Sequence, residues 1–104
     1  MSIAIGIQQR PGLAEAVKVA ENVMISMRTI DWLIRKKLSV QLQGSRDTKT
    51  GKPFVLIQYA KGWCAKFKAD FGAEIVQHMR SKEGQFELWQ FEMQGCLVQW
   101  FEEV

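Results

Sequence analysis

Few residues of this chain belong to the types that carry out covalent chemistry. The single histidine, His78, follows apolar residues at helical spacing, and we expect it near a helix end as a solvated or capping side chain. Neither Cys64 nor Cys96 has a partner evident in the sequence that would make it a nucleophile. The sequence therefore predicts no catalytic residue, and the protein is predicted not to be an enzyme.

The same residue types give no pattern typical of a metal or cofactor site. Two cysteines and one histidine match no recognisable zinc-ligand spacing. The acids Asp31, Asp47 and Asp70 are scattered, and no pair of them is placed for acid–base work. The loop at residues 44–52 has six residues between its glycines and is followed by Pro53, which does not match a phosphate-binding loop. We predict no metal and no cofactor.

Length and composition are those of one ordinary globular domain. The chain has 104 residues, of which 47% are hydrophobic and 24% charged. The two cysteines lie far apart among apolar residues, which favours buried free thiols and a reducing compartment. No apolar run approaches the ~20 residues of a membrane span, and the first residues lack the basic segment of a secretion signal. A cytoplasmic location without membrane contact is therefore predicted.

Charge is divided along the chain. Residues 28–68 hold ten Lys or Arg and two acids, whereas residues 83–104 hold five Glu and no base, within a net charge of +3. The leading hypothesis is that the basic segment forms a face that binds nucleic acid, a nucleic-acid-handling protein or an acidic protein. The predicted nucleic-acid-binding residues are Arg28, Arg35, Lys36, Lys37, Arg46, Lys49, Lys52, Lys61, Lys66 and Lys68.

The alternative hypothesis concerns the aromatic C-terminal segment. Its acids favour pairing with the basic face of a second copy, and tryptophan is enriched at interfaces, so a homodimer is predicted. The predicted interface residues are Trp89, Phe91, Val98 and Trp100. In this reading the protein is an interaction module, such as an inhibitor, adaptor or regulatory subunit. A small-molecule-binding dimer with its pocket between the sheets is a third option.

The N-terminal part predicts helix after a short first element. Ile3, Ile5 and Ile7 alternate with small residues, which is typical of a short strand but also compatible with a disordered start. Residues 13–37 contain neither Gly nor Pro and form either one long helix or two helices with a break near residues 26–29; the break is favoured slightly. One helix face is predicted to carry Leu13, Val17, Ala20, Met24 and Met27.

Two strands should then form a hairpin with a basic loop. Residues 40–43 alternate as a half-exposed strand, and residues 54–59 read as a more buried one. The stretch 51–57 partly resembles the first ribonucleoprotein motif of RNA-recognition modules. The predicted first strand carries no aromatic residue for base stacking, so an ordinary buried strand is favoured.

A second helix and a final hairpin complete the prediction. Apolar residues recur every four positions from Trp63 to Met79, which predicts one helix interrupted only by Gly72. Residues 86–93 and 96–101 predict strands joined by a Gln-Gly turn. Both of these strands are apolar on both faces, so we expect helices to cover one side and a second subunit or a ligand to cover the other.

The predicted fold class is α+β, with a single sheet and two main helices packed on one face. The predicted order is β-α-β-β-α-β-β, which is a ferredoxin-like arrangement plus one strand. If the first strand does not form, the order becomes α-β-β-α-β-β.

Overall fold

The computed structural model describes residues 10–44 and 50–104, whose elements follow in the order α-β-β-α-β-β-β. They are α1 (Arg10–Arg35), β1 (Val40–Gly44), β2 (Phe54–Ile57), α2 (Lys61–Phe71), β3 (Glu74–Ser81), β4 (Gly84–Met93) and β5 (Cys96–Glu103). The predicted α+β class is confirmed. The predicted order is partly wrong, because the described chain opens with a helix and three strands follow α2. The strand predicted at Ile3 to Ile7 lies outside the described residues.

The first helix is continuous, so the favoured break near residues 26–29 is wrong. Ser26 donates its hydroxyl to the Val23 carbonyl at 2.9 Å, and Thr29 donates to the Ile25 carbonyl at 3.4 Å. Both hydroxyls thus bond back to the preceding turn of the same helix instead of capping a new one. The helix continues through this stretch to Arg35.

The C-terminal end of α1 has the geometry of a Schellman motif. Lys37 adopts φ 63°, the Lys37 N–H donates to the Ile34 carbonyl at 2.8 Å, and the Leu38 N–H donates to the Leu33 carbonyl at 3.1 Å. Leu38 is buried behind this turn and anchors it to the core. The chain therefore leaves α1 in the direction of β1.

The face of α1 that packs on the sheet is not the predicted apolar stripe. Asn22, Ser26, Thr29 and Leu33 are buried, whereas Met24 and Met27 keep 58% and 61% of their surface exposed. The buried polar groups have partners across the packing interface as well as within the helix. Asn22 donates its side-chain amide to the Gly51 carbonyl at 3.1 Å, and Gln43 on β1 donates to the Ser26 hydroxyl at 2.6 Å.

The second helix ends at Phe71, so the prediction of one helix from Trp63 to Met79 is wrong. Gly72 adopts φ 65° and its N–H donates to the Phe67 carbonyl, which makes it a left-handed C-terminal cap. Beyond this cap the apolar residues still recur every four positions, but there the spacing results from the alternation of side chains along a strand. Ile75 and Met79 accordingly lie on β3.

The five strands form one mixed sheet in the order β1-β2-β5-β4-β3. Strand β2 pairs with β5 in parallel, and the other neighbours are antiparallel. Both predicted hairpins, β1–β2 and β4–β5, are confirmed. Gln94 (φ 49°) and Gly95 (φ 88°) form the two-residue turn of the second hairpin, and two consecutive positive φ angles are typical of a type I′ turn.

Both helices pack on the same face of this sheet. Phe67 of α2 lies 4.8 Å from the Phe91 ring and 6.0 Å from the Trp100 ring, measured between centroids. Trp32 of α1 lies 5.7 Å from Phe67, which joins the two helices over the sheet. Neither helix in the described part of the chain is long and apolar enough to cross a membrane.

Candidate binding surfaces

No described element covers the second face of the sheet, which we call the open face. Strand alternation assigns its side chains, since Phe54 pairs with Leu97 while the next pair, Val55 and Val98, lies in the core. Leu88 and Phe101 pair with each other and lie on the same face as Phe54 and Leu97. The apolar side chains of the open face are Leu42, Phe54, Leu56, Met79, Phe86, Leu88, Leu97 and Phe101.

These apolar side chains are distributed over all five strands, and all of them except Leu97 keep part of their surface accessible. Leu42 is 54% exposed at one edge and Met79 is 41% exposed at the other. The phenylalanines between them are half-buried, and Leu97 is buried beneath its neighbours. Near the centre Gln99 donates to Gln90 at 2.7 Å, which satisfies the two amides mutually. An accessible sheet face rich in apolar side chains is typical of an interaction site.

The charged side chains that the strands themselves place on the open face are acidic. Glu74, Glu92 and Glu103 share it by strand register, and Lys52 reaches Glu92 from its margin. The strands contribute one basic residue within the described chain, Arg80, and alternation directs it to the other face. Two of these three carboxylates, Glu74 and Glu103, form no ion pair with a described basic residue.

The predicted interface residues lie on the helix-covered face. Phe91, Val98 and Trp100 are buried in the core, so the prediction that they contact a partner is corrected. Trp89 is half-buried, its ring stacks on Trp100 at 5°, and the Lys68 ammonium lies 3.9 Å from its centroid. The hairpin's accessible residues are instead the alternate ones, and the apolar pattern on both faces was the signal that could have indicated them.

Three of the ten predicted nucleic-acid-binding residues form ion pairs in the described chain. Arg35 pairs with Asp31 at 2.9 Å, Lys52 pairs with Glu92, and Lys68 pairs with Glu102 at 2.9 Å. Two of these acids come from the acidic C-terminal segment, which therefore neutralises part of the basic segment. Arg46 and Lys49 lie outside the described residues. Those without a described carboxylate partner are Arg28, Lys36, Lys37, Lys61 and Lys66.

Several basic residues converge around two tryptophans on the helix side. The Lys36 ammonium lies 4.6 Å from the ring centroids of both Trp32 and Trp63, and the Lys66 ammonium lies 5.2 Å from Trp63. Beside Trp32, a groove of about 560 Å³ is lined by Arg28 and Arg35 together with Asp31, the ion-pair partner of Arg35. We call this surface the tryptophan ridge: Arg28, Trp32, Arg35, Lys36, Trp63 and Lys66. Lys37 and Lys61 are exposed but are not part of it.

The reactive residue types are placed away from one another or buried. Cys64 and Cys96 are free and buried, which confirms that prediction. Burial raises the pKa of both thiols, the opposite of what an activated nucleophile needs. His78 is exposed on β3 opposite Glu87, not at a helix end as predicted. No three potential metal-ligating side chains cluster among residues 10–44 and 50–104.

Comparison with protein-family models, with curated proteins and with solved structures found no match. The open face and the tryptophan ridge are the two surfaces of the described chain with features of a binding site.

Proposed function

We propose that this protein is an interaction module whose open face binds a protein partner with an apolar contact surface and a cationic margin. The observation that carries the proposal is the uncovered apolar surface across all five strands, bounded by Glu74, Glu92 and Glu103. The interaction-module hypothesis is kept, but the contact surface moves from the buried residues of the C-terminal hairpin to its accessible residues.

The energetics of such a contact depend on the half-buried side chains. Covering apolar surface is worth about 25 cal/mol for each Å² removed from water. Leu42 and Met79 are the most exposed of these side chains, and Phe54, Phe86 and Phe101 supply half-buried aromatic rings between them. Aromatic anchors of this type often dominate binding energy at the centre of an interface. The surrounding carboxylates would add selectivity and association rate by attracting a basic partner. Basic surfaces are typical of nucleic-acid-handling proteins, so that partner class remains within the proposal.

The test compares two substitutions that add the same charge at different places. Phe101→Glu places a carboxylate in the middle of the open face, whereas Tyr59→Glu places one at a 46% exposed position after β2. Binding is measured to two amphipathic peptides, one built from leucine and lysine and one from leucine and glutamate. We expect the first peptide to bind the wild type and Tyr59→Glu, and Phe101→Glu to lose binding. Equal binding of both peptides, or of both variants, would contradict the proposal, provided that thermal melts show each variant folded.

The tryptophan ridge supports a second candidate function, binding of single-stranded nucleic acid. Basic groups alternate with indole rings there, and both contribute to binding of single strands through phosphate contacts and stacking. The position of Lys36 is the main support for this candidate function, because its ammonium lies over both tryptophans. Lys52 and Lys68 pair with glutamates of the sheet and lie outside the ridge, whereas Arg35 belongs to it although it pairs with Asp31.

A labelled oligonucleotide distinguishes this second candidate. We expect Lys36→Glu to weaken binding about tenfold, while Lys82→Glu, in the exposed β3–β4 turn, leaves it nearly unchanged. The affinity should fall steeply between about 50 and 200 mM salt. Absence of binding at the lower salt concentration would remove this candidate and leave the open-face proposal untouched.

A further inference from the structure

The outward face of α1 carries a heptad pattern of mostly apolar residues that remains exposed in the monomer. Starting at Leu13, the residues on this face recur at alternating steps of four and three over three heptads. They are Leu13, Val17, Ala20, Met24, Met27, Asp31 and Ile34, and we call them the α1 seam. Every one of them is exposed, Leu13 and Met27 at more than 60%. This alternation is typical of the contact line of a coiled coil.

The seam points away from the rest of the molecule. The residues that pack α1 on the sheet are Asn22, Ser26, Thr29 and Leu33, and helical spacing places Met24 opposite the first two of them. A partner helix along the seam would therefore not compete with the sheet. From these features we infer that α1 pairs with α1 of a second copy of this chain in an antiparallel two-helix contact.

Charge selects the antiparallel orientation over the parallel one. In a parallel pair in register, Asp31 would face Asp31 of the second copy in the seam, and like charges at such a position are unfavourable. The residues beside the seam would supply no ion pair, since Val23 and Ile30 would be the neighbours of Arg28 and Arg35.

An antiparallel pair resolves both difficulties in one register. With the two-fold axis between Ile25 and Ser26, Met24 meets Met27 of the second copy, and Val17 meets Ile34. Asp31 then faces Ala20 instead of another carboxylate. In the same register Glu21 lies beside Arg28 of the second copy, and symmetry forms this pair twice. Neither Glu21 nor Arg28 has an ion-pair partner among the described residues of its own chain.

This contact is isologous, so it closes after two copies and does not propagate. It differs from the dimer predicted from the sequence, which used the C-terminal hairpin. Because the two sheets lie on the outer sides of the paired helices, both open faces remain available. The inference therefore does not depend on the proposed function of the open face.

The experiment measures molar mass by sedimentation over a concentration series. We expect the wild type to dimerise and the double variant Met24→Glu/Met27→Glu to be monomeric. Glu21→Arg or Arg28→Glu alone should weaken the dimer about tenfold, and the double reversal E21R/R28E should restore it, because each pair is re-formed with opposite signs. Lys18→Glu, exposed but outside the seam, is the matched control. A wild type that stays monomeric at all concentrations would overturn the inference, as would a dimer that survives the double methionine substitution.

Orientation is tested separately by disulfide cross-linking. The variant V17C/I34C should form an intermolecular disulfide under mild oxidation, because the two positions meet in the antiparallel register. V17C alone should remain unlinked, since it would meet its own symmetry mate only in the parallel pair. The native thiols at Cys64 and Cys96 are buried and should not take part. Cross-linking of V17C alone would overturn the antiparallel arrangement, and circular dichroism confirms that every variant keeps its helix content.

Discussion

The two faces of the sheet are built from the same strands but have opposite surroundings. Trp100 and Phe101 are consecutive in β5, yet Trp100 is fully buried under the helices and Phe101 remains half-buried on the open face. Both faces are apolar, so hydrophobicity alone does not distinguish the core from the accessible surface. The difference comes from where the two helices pack.

The largest expected effect compares these two neighbours directly. Trp100→Ala should lower the free energy of unfolding by about 3–5 kcal/mol, because it leaves a cavity against Phe67 and Phe91. Phe101→Ala should cost less than about 1.5 kcal/mol, since its ring is partly hydrated already. Urea unfolding monitored by circular dichroism measures both values. Similar losses for the two variants would mean that the open face is covered in the protein alone.

Thiol reactivity gives the next contrast. Cys64 and Cys96 are fully buried, which excludes a disulfide reagent and also raises the pKa of both thiols, so the folded protein should react much more slowly than the unfolded chain. Leu88→Cys would place a thiol on the open face, where it should react at once. Two fast thiols in the wild type would contradict the placement of both cysteines in the core.

The same pKa shift predicts how stability changes with pH. The folded state holds its thiol protons at pH values where the unfolded chain releases them, so the unfolded state binds fewer protons there. The contribution of both thiols is therefore complete below pH 9.0 and declines as the pH rises above that value. Urea titrations at pH 8 and pH 10 measure the difference, and Cys64→Ala/Cys96→Ala is the control that should remove it.

A smaller effect concerns the polar contact between α1 and the sheet side. Asn22→Leu should cost about 1–3 kcal/mol, because the Gly51 carbonyl loses its donor. Lys18→Leu, at an exposed position of the same helix, should change stability by less than about 0.5 kcal/mol. If Asn22→Leu were neutral or stabilising, the buried polar stripe would not be what holds α1 in place.

The smallest expected effect is at the Lys68–Glu102 ion pair. Both side chains are partly exposed, at 33% and 16%, so Lys68→Met should cost only about 0.5–1 kcal/mol. High salt should reduce this cost, whereas Lys66→Met, which removes only a contact with Trp63, should show little salt dependence. A salt-independent loss at Lys68 would indicate that its stem packing against Trp89 matters more than its charge.

The sequence predicted where helices and strands form better than it predicted which face of each element is buried. Strand alternation and the Gln94-Gly95 turn correctly located the β4–β5 hairpin, and the buried free thiols followed from their apolar neighbours. The capping role of Gly72 could not be predicted, because a glycine inside a helix and a glycine that caps a helix differ in φ, and the sequence does not determine φ. The run of apolar residues on β3 then continued the helical spacing by chance.

The packing face of α1 could not be predicted for a related reason. Helical periodicity identifies an apolar stripe but does not state what covers it. Asn22 and Ser26 became buried because Gly51 and Gln43, distant in sequence, supply their hydrogen-bond partners. The ion pairs of two predicted basic residues could not be predicted for the same reason. Glu92 and Glu102 approach Lys52 and Lys68 only in the folded sheet.

The position of β5 has a consequence for how this chain is made. The strand synthesised last of the five sits in the middle of the sheet, between β2 and β4. Until β5 emerges from the ribosome, its two neighbours in the sheet, β2 and β4, each expose one unpaired backbone edge. An unpaired edge can pair with a neighbouring polypeptide, so the insertion of residues 96–103 protects both edges from strand exchange as well as completing the sheet.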